Sequence, residues 1–187
     1  MPNPKLYMLL LGCTPPGRHT EQHDVFFAIG EDLKSLIPDI LAFWPEANGR
    51  IHIDAYREVT LVDGHQVSVE EKGGSNDSSG QHLFFINLGG YKRGLFDEPH
   101  FKIISVHPDM GSAIKTAKNT EFFLNTHFPG AFSHVDDKFG IDVDDVYEVA
   151  DILPLAQKEK YRIMVEKATS DAPEDELNLG YFKLANL

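Results

Sequence analysis

Residues 6–12 read LYMLLLG and residues 83–89 read LFFINLG, two short apolar runs closed by a glycine and set 77 residues apart. Runs of this length suit buried strands better than core helices. Slid by 77 residues, Leu6–Phe43 falls on Leu83–Thr120 without a gap, and nine of the 38 positions are identical. They are Leu6/Leu83, Leu11/Leu88, Gly12/Gly89, Gly17/Gly94, Glu21/Glu98, His23/His100, Asp32/Asp109, Ser35/Ser112 and Ile37/Ile114. Ordinary amino-acid usage would give about two by chance. After 13 extra residues in the second stretch the shift becomes 90, and Ile51, Asp54, Glu58 and Val59 meet Ile141, Asp144, Glu148 and Val149.

A repeat governs every later reading of the chain. The expected fold class is α+β, a tandem duplication of a small α/β unit with mainly antiparallel sheets. Two copies are too few for a solenoid, so a pseudo-twofold pair is expected. Residues 1–72 form the first copy and 73–81 a flexible connector. Residues 82–170 form the second copy, with an inserted loop at about 123–139, and 171–187 hold an acidic loop and a C-terminal strand.

Within each copy the elements follow from periodicity. Val25–Ile29 and Phe101–Val106 read as second strands. Leu33, Leu36, Ile37, Ile40, Leu41 and Trp44 keep the spacing of one buried helical stripe, which Pro38 should kink or shorten. Met110, Ala113, Ile114 and Ala117 repeat the stripe, and Asp32 and Asp109 sit where a helix dipole favours a carboxylate. Glu58–Val62 and His65–Glu70 flank Asp63-Gly64, a strong hairpin signal. Tyr161–Glu166 and Gly180–Leu184 read as late strands, and Ala168–Glu176 as a mobile acidic loop. Counted from its second strand, each copy reads β-α-β-β-β, an element order similar to the paired-module metalloenzymes of the vicinal oxygen chelate group. Divided differently, the same elements make one continuous sheet with two helices on one face.

Composition narrows the function classes. The apolar fraction of 42% and charged fraction of 25% are those of a globular protein. A net charge of −12, with no basic run longer than Lys92-Arg93, argues against nucleic acid and against anionic membranes. A small-molecule or protein partner and a homo-oligomer stay open. The single cysteine, Cys13, excludes an internal disulfide framework and a cysteine-rich zinc site. Leu10-Leu11-Gly12-Cys13 imitates a lipoprotein cleavage box, but the same segment recurs deep in the chain, so it reads as structure and the protein as cytoplasmic.

Glu21-Gln22-His23 and Glu98-Pro99-His100 are the most informative polar positions. Residues two apart on an extended chain face one way, and Pro99 biases Glu98 towards an extended conformation. Two readings follow. Glu21, His23, Glu98 and His100 could converge between the copies as a 2-His-2-carboxylate site for a divalent transition metal such as zinc, iron, nickel or manganese. Alternatively each pair anchors its own loop through neighbouring strands, and the protein is a non-catalytic binding or interaction protein. The second is the leading expectation, and a small metal-dependent enzyme is its alternative.

His52 and Asp54, two apart on a strand, offer a general acid/base pair or a strand-end hydrogen-bond network. Gly12 to Gly17 and Gly89 to Gly94 lack the lysine and helix of a phosphate loop and read as turns. Cys13 reads as structural rather than nucleophilic. In the insertion, His127, His134, Asp136 and Asp137 either bind a cation or are simply solvated. Phe122, Phe123, Phe128 and Phe132 read as core.

Leu-Gly before a Gly-rich turn, Glu-x-His-Asp before an apolar strand, Trp44, and Gly49-x-Ile51-His52-Ile53-Asp54 together resemble the bacterial family called domain of unknown function 1543. The resemblance covers nearly the whole chain in two-copy form and implies a bacterial protein of unassigned activity. In the second copy, Asp142 stands at the place of His52 and Phe101 at that of Asp24 on the 90- and 77-residue shifts. Anything that needs His52 or Asp24 is therefore expected once.

Overall fold

The computed structural model describes residues 3–73, 79–126, 134–135, 145–169 and 173–187, with backbone alone for 134–135. In chain order the elements are β1 (Lys5–Cys13), β2 (Gln22–Gly30), α1 (Ile37–Phe43), β3 (His52–Glu58), β4 (Leu61–Val62), β5 (His65–Glu71), β6 (His82–Gly89) and β7 (His100–His107). They continue with α2 (Met110–Ala117), α3 (Glu121–Asn125), β8 (His134–Val135), β9 (Val146–Glu148), α4 (Leu155–Lys160), β10 (Tyr161–Lys167) and β11 (Asn178–Lys183). The fold is α+β, with three mainly antiparallel sheets and few helices. No helix among the described residues is long and apolar enough to cross a membrane.

The chain divides into two compact units. Unit 1 is Met1–Asn76 with Leu153–Leu187, and unit 2 is Asp77–Ile152. Unit 1 holds a sheet in the order β11-β3-β1-β2 and a second sheet in the order β10-β5-β4. Unit 2 holds β7-β6-β8, with β9 also paired to β6. Among the described residues, hydrogen bonding thus makes three sheets rather than one continuous sheet.

Unit 1 is built around β1, whose Leu6, Leu9 and Leu11 are buried. Its core gathers Leu9, Leu11, Phe26, Ala28, Leu36, Ile40 and Ile53. The expected long helix is instead a 3-10 turn at Lys34–Leu36 followed by α1. Pro38 lies in the first turn of α1, where its missing N–H has no intrahelical partner to lose, so it opens the helix rather than kinking it. Leu36 and Ile40 are buried, whereas Leu41 is exposed. Asp63 and Gly64 both take positive φ, 50° and 69°, as a two-residue hairpin requires.

The expected strand Glu58–Val62 is interrupted. After β3 ends at Glu58, Val59 N still donates to Leu6 O at 2.8 Å, and Asp175 takes the two donors that follow. Its carboxylate accepts from Thr60 N at 3.0 Å and Leu61 N at 3.1 Å, and pairs with Arg57 at 2.6 Å. Gln157 similarly closes the outer edge of β2, its Oε1 accepting from Ile29 N at 2.6 Å.

In unit 2, Phe84, Ile86, Leu88, Ala113, Ala117 and Val146 form the core. The β6–β7 ladder repeats the β1–β2 ladder pair for pair. Leu83↔Val106 stands for Leu6↔Ile29, and Gly89↔His100 for Gly12↔His23. A strand-end side-chain contact recurs too, the ion pair Lys5–Glu58 at 2.8 Å and the hydrogen-bonding contact His82–Glu148 at 2.8 Å.

Candidate functional site

Four polar residues meet at one end of the first sheet of unit 1. Gly12 of β1 lies directly opposite His23 on β2 and His52 on β3, so the three form a row across the sheet. Residues opposite one another on a ladder share a face, and the central one has no side chain to fill the gap. A Cβ at Gly12 would collide with the Asp54 carboxylate and the His52 ring. The glycine therefore leaves the space in which the two histidines and Asp54 approach each other.

Asp54 reaches this space from a break in the ladder. Leu10 pairs with Ala55 and Leu11 with Ile53, so Asp54 has no opposite residue on β1. On the other side, Leu179 pairs with Ala55 and Phe182 with Ile53, leaving Gly180 and Tyr181 outside the register. Bulges bend a strand and re-aim side chains. Tyr181 lies against the His52 ring, centroid to centroid at 4.1 Å and tilted by 32°.

Carboxylates and imidazoles alternate around the cluster. His23 Nε2 stands 3.0 Å from Asp54 Oδ2 and 3.7 Å from Glu21 Oε2. His52 Nε2 stands 3.1 Å from Glu21 Oε1 and 3.2 Å from Asp54 Oδ1. The His52 side chain is 7% exposed, against 39% for His23 and 44% for Glu21. One wall of the cluster is buried and the other open to solvent.

Distance alone overstates the bonding. His52 Nε2 and Asp54 Oδ2 are buried and neither makes a well-aligned hydrogen bond. The nitrogen has carboxylate oxygens within reach, but their angles are wrong, and angle decides whether such a contact counts. The cluster is not drawn in around a point either. Among the described residues, no group of three or more His, Cys, Asp or Glu has the geometry to hold a metal ion as it stands.

The sequence candidates are distributed unevenly. Glu21, His23, His52 and Asp54 come together within unit 1, while Glu98 and His100 belong to unit 2 at the start of β7. The meeting of Glu21-x-His23 with His52-x-Asp54 was not foreseen, nor was Tyr181. The repeated Gly12/Gly89 was the available signal, but its meaning depends on strand order. Cys13 is fully buried and burial pushes its thiol pKa up, which suits a structural residue. Phe122 and Phe123 pack against the core of unit 2. His127, Phe128, Phe132, Asp136, Asp137, Ile141, Asp142 and Asp144 lie outside the described residues. A cavity of about 850 Å³ in unit 1, lined by Tyr7, Asp32, Tyr56, Glu58 and Asp175 among others, includes none of the four cluster residues.

Residues 18–69 match the family model described as Domain of Unknown Function (DUF1543). The matched segment contains all four residues of the cluster. The chain is also similar to the crystal structure of a protein Il1583 from Idiomarina loihiensis, with a TM-score of 0.58 and 20% identity over 97% of this chain and 98% of that one. Identity this low shows the shared fold alone. No curated protein matches the chain.

Proposed function

We propose that unit 1 binds a divalent transition metal ion through His23, His52, Asp54 and Glu21, and that the protein is a small metal-dependent enzyme. The observation that carries this reading is the buried, poorly hydrogen-bonded His52 Nε2, which faces the cluster between two carboxylates. An unpaired buried polar atom costs roughly 1–3 kcal/mol, and a cation would satisfy both it and Asp54 Oδ2. The separations of 3.0 to 3.7 Å also resemble the spacing of ligand atoms around one ion. Four ligands at about 2.05 Å in a tetrahedron stand about 3.3 Å apart.

Glu21 and His23 face solvent and have room to move towards an ion. A tetrahedron of four side chains would be closed, and the solvent-facing wall leaves room for a water or substrate as a fifth ligand, which a catalytic ion needs. Zinc, iron, nickel and manganese all accept two imidazoles and two carboxylates.

A second reading is favoured by the 3.0 Å contact of His23 with Asp54. Here the four residues fasten the loop before β2 to β3, and the protein binds a partner without catalysis. Elemental analysis of untagged protein separates the two. The metal reading expects bound transition metal that falls by about one equivalent per chain in His52→Ala. Metal-free wild type that takes up none, or content unchanged in His52→Ala, overturns it.

A further inference from the structure

We infer that the cavity of unit 1 beside β1 and β3 is a binding site for a small organic amine in its protonated form, held by Tyr7, Tyr56 and the carboxylates around them. The site is separate from the four-residue cluster and does not depend on the metal reading. Strand register explains its lining. Tyr7 on β1 stands opposite Glu58 on β3, and Tyr56, two residues before Glu58, stands opposite Asn178 on β11. Opposite residues, and residues two apart on one strand, share a face. The two tyrosines, Glu58 and Asn178 therefore turn the same way, and all four line the cavity.

The Tyr7 hydroxyl is the observation that points to a ligand. The residue is only 5% exposed, and its ring belongs to the core of unit 1. A buried tyrosine hydroxyl ordinarily finds a hydrogen-bond partner. Among the described residues this one has none, and it is not sealed off as His52 Nε2 is, so it opens on the cavity. Burial pushes its pKa up, Lys5 opposes the rise, and Glu58, Asp32 and Tyr56 add to it. At neutral pH the hydroxyl therefore keeps its proton and can both give and accept a hydrogen bond.

Charge decides the ligand class. Five carboxylate side chains line the cavity, Asp32, Glu58, Glu174, Asp175 and Glu176, against one ammonium, Lys34. Glu58 is neutralised by Lys5 at 2.8 Å and Asp175 by Arg57 at 2.6 Å. Asp32, Glu174 and Glu176 then outnumber Lys34 three to one. Asp32 accepts from Ser35 N at 2.8 Å through one oxygen and has a second to offer. An anion would meet net repulsion here, whereas an ammonium group gains from the carboxylates and from the tyrosine faces. The volume of about 850 Å³ is that of a small-molecule site.

Isothermal titration of the untagged full chain with 1,5-diaminopentane tests this, with glutarate, the dicarboxylate of the same length, as its counterpart. The diamine should bind saturably at one site per chain with a Kd below about 1 mM, and glutarate should not bind. Tyr7→Phe removes only the hydroxyl, and Asp32→Asn removes the charge while keeping an oxygen for Ser35 N. Each should weaken the diamine about tenfold or more, the usual worth of a hydrogen bond to a charged group. Without the diamine, Tyr7→Phe should melt no earlier than wild type. No saturable heat from the diamine, or binding of glutarate in its place, overturns the proposal. So does a diamine affinity unchanged in either variant, which is general attraction to an acidic surface, or an earlier melt of Tyr7→Phe, which places the hydroxyl's partner inside the protein. None of these outcomes bears on the four-residue cluster, which shares no residue with the cavity.

Discussion

At Gly12 the central strand offers no side chain, and the polar atoms of His52 and Asp54 occupy the volume that a methyl group would need. The cluster is therefore sensitive to a change that adds no charge. Gly12→Ala should displace the Asp54 carboxylate and the His52 ring while leaving the ladder hydrogen bonds intact. Losses of this supporting kind typically weaken metal binding 10–100-fold, and zinc titration of the variant should show a drop of about that size at the unit 1 site. Unchanged affinity would mean that Gly12 does not shape the site. At this scale the sequence was half legible. The i, i+2 spacing put His52 with Asp54 and Glu21 with His23. What brings the pairs together is a bulge that leaves Asp54 unpaired on both sides, and no residue type marks it.

Among the elements, periodicity found the central strands but misjudged lengths. The stripe from Leu33 to Trp44 has helical spacing, yet the α-helix proper is seven residues long because Pro38 belongs in a first turn. The counterpart α2 starts cleanly, with Asp109 accepting from Ser112 N at 2.8 Å. That bond holds the Asp109 carboxyl below its ordinary range. A depressed folded pKa stabilises the fold above the unfolded value of about 3.9 and ceases to do so as pH falls through the folded value. Asp109→Ala should therefore melt earlier than wild type at pH 7, and the gap should close in strong acid. Thermal melts across the acid range check this, and a gap independent of pH would contradict the cap. The strand β3 shows the other limit of pattern reading. Its partner in unit 2 is two fragments, and only pairing to β6 identifies them.

For the whole molecule, the sequence repeat and the packing units divide the chain differently. The last stretch, Leu153–Leu187, packs with the first seventy-six residues, β10 on β5 and β11 on β3. Asp175 helps to fasten it, with its side chain only 3% exposed against Arg57. In composition alone it looked like part of a solvated acidic loop, because burial of a carboxylate depends on partners that sit 114 to 118 residues away. Asp175→Ala would strand Arg57 and the donors of Thr60 and Leu61. Breaking such a buried pair costs about 3–5 kcal/mol, which a fall in the denaturation midpoint at unchanged slope should register, and a near-neutral change would refute.

The central claim is that the four residues of unit 1 are ligands rather than a fastening. An anomalous difference map from a zinc-soaked crystal addresses this most directly. The account predicts a peak about 2.0–2.2 Å from His23 Nε2, His52 Nε2 and the carboxylates of Asp54 and Glu21. A map without a peak there, with His23 and Asp54 still paired to each other, would contradict it.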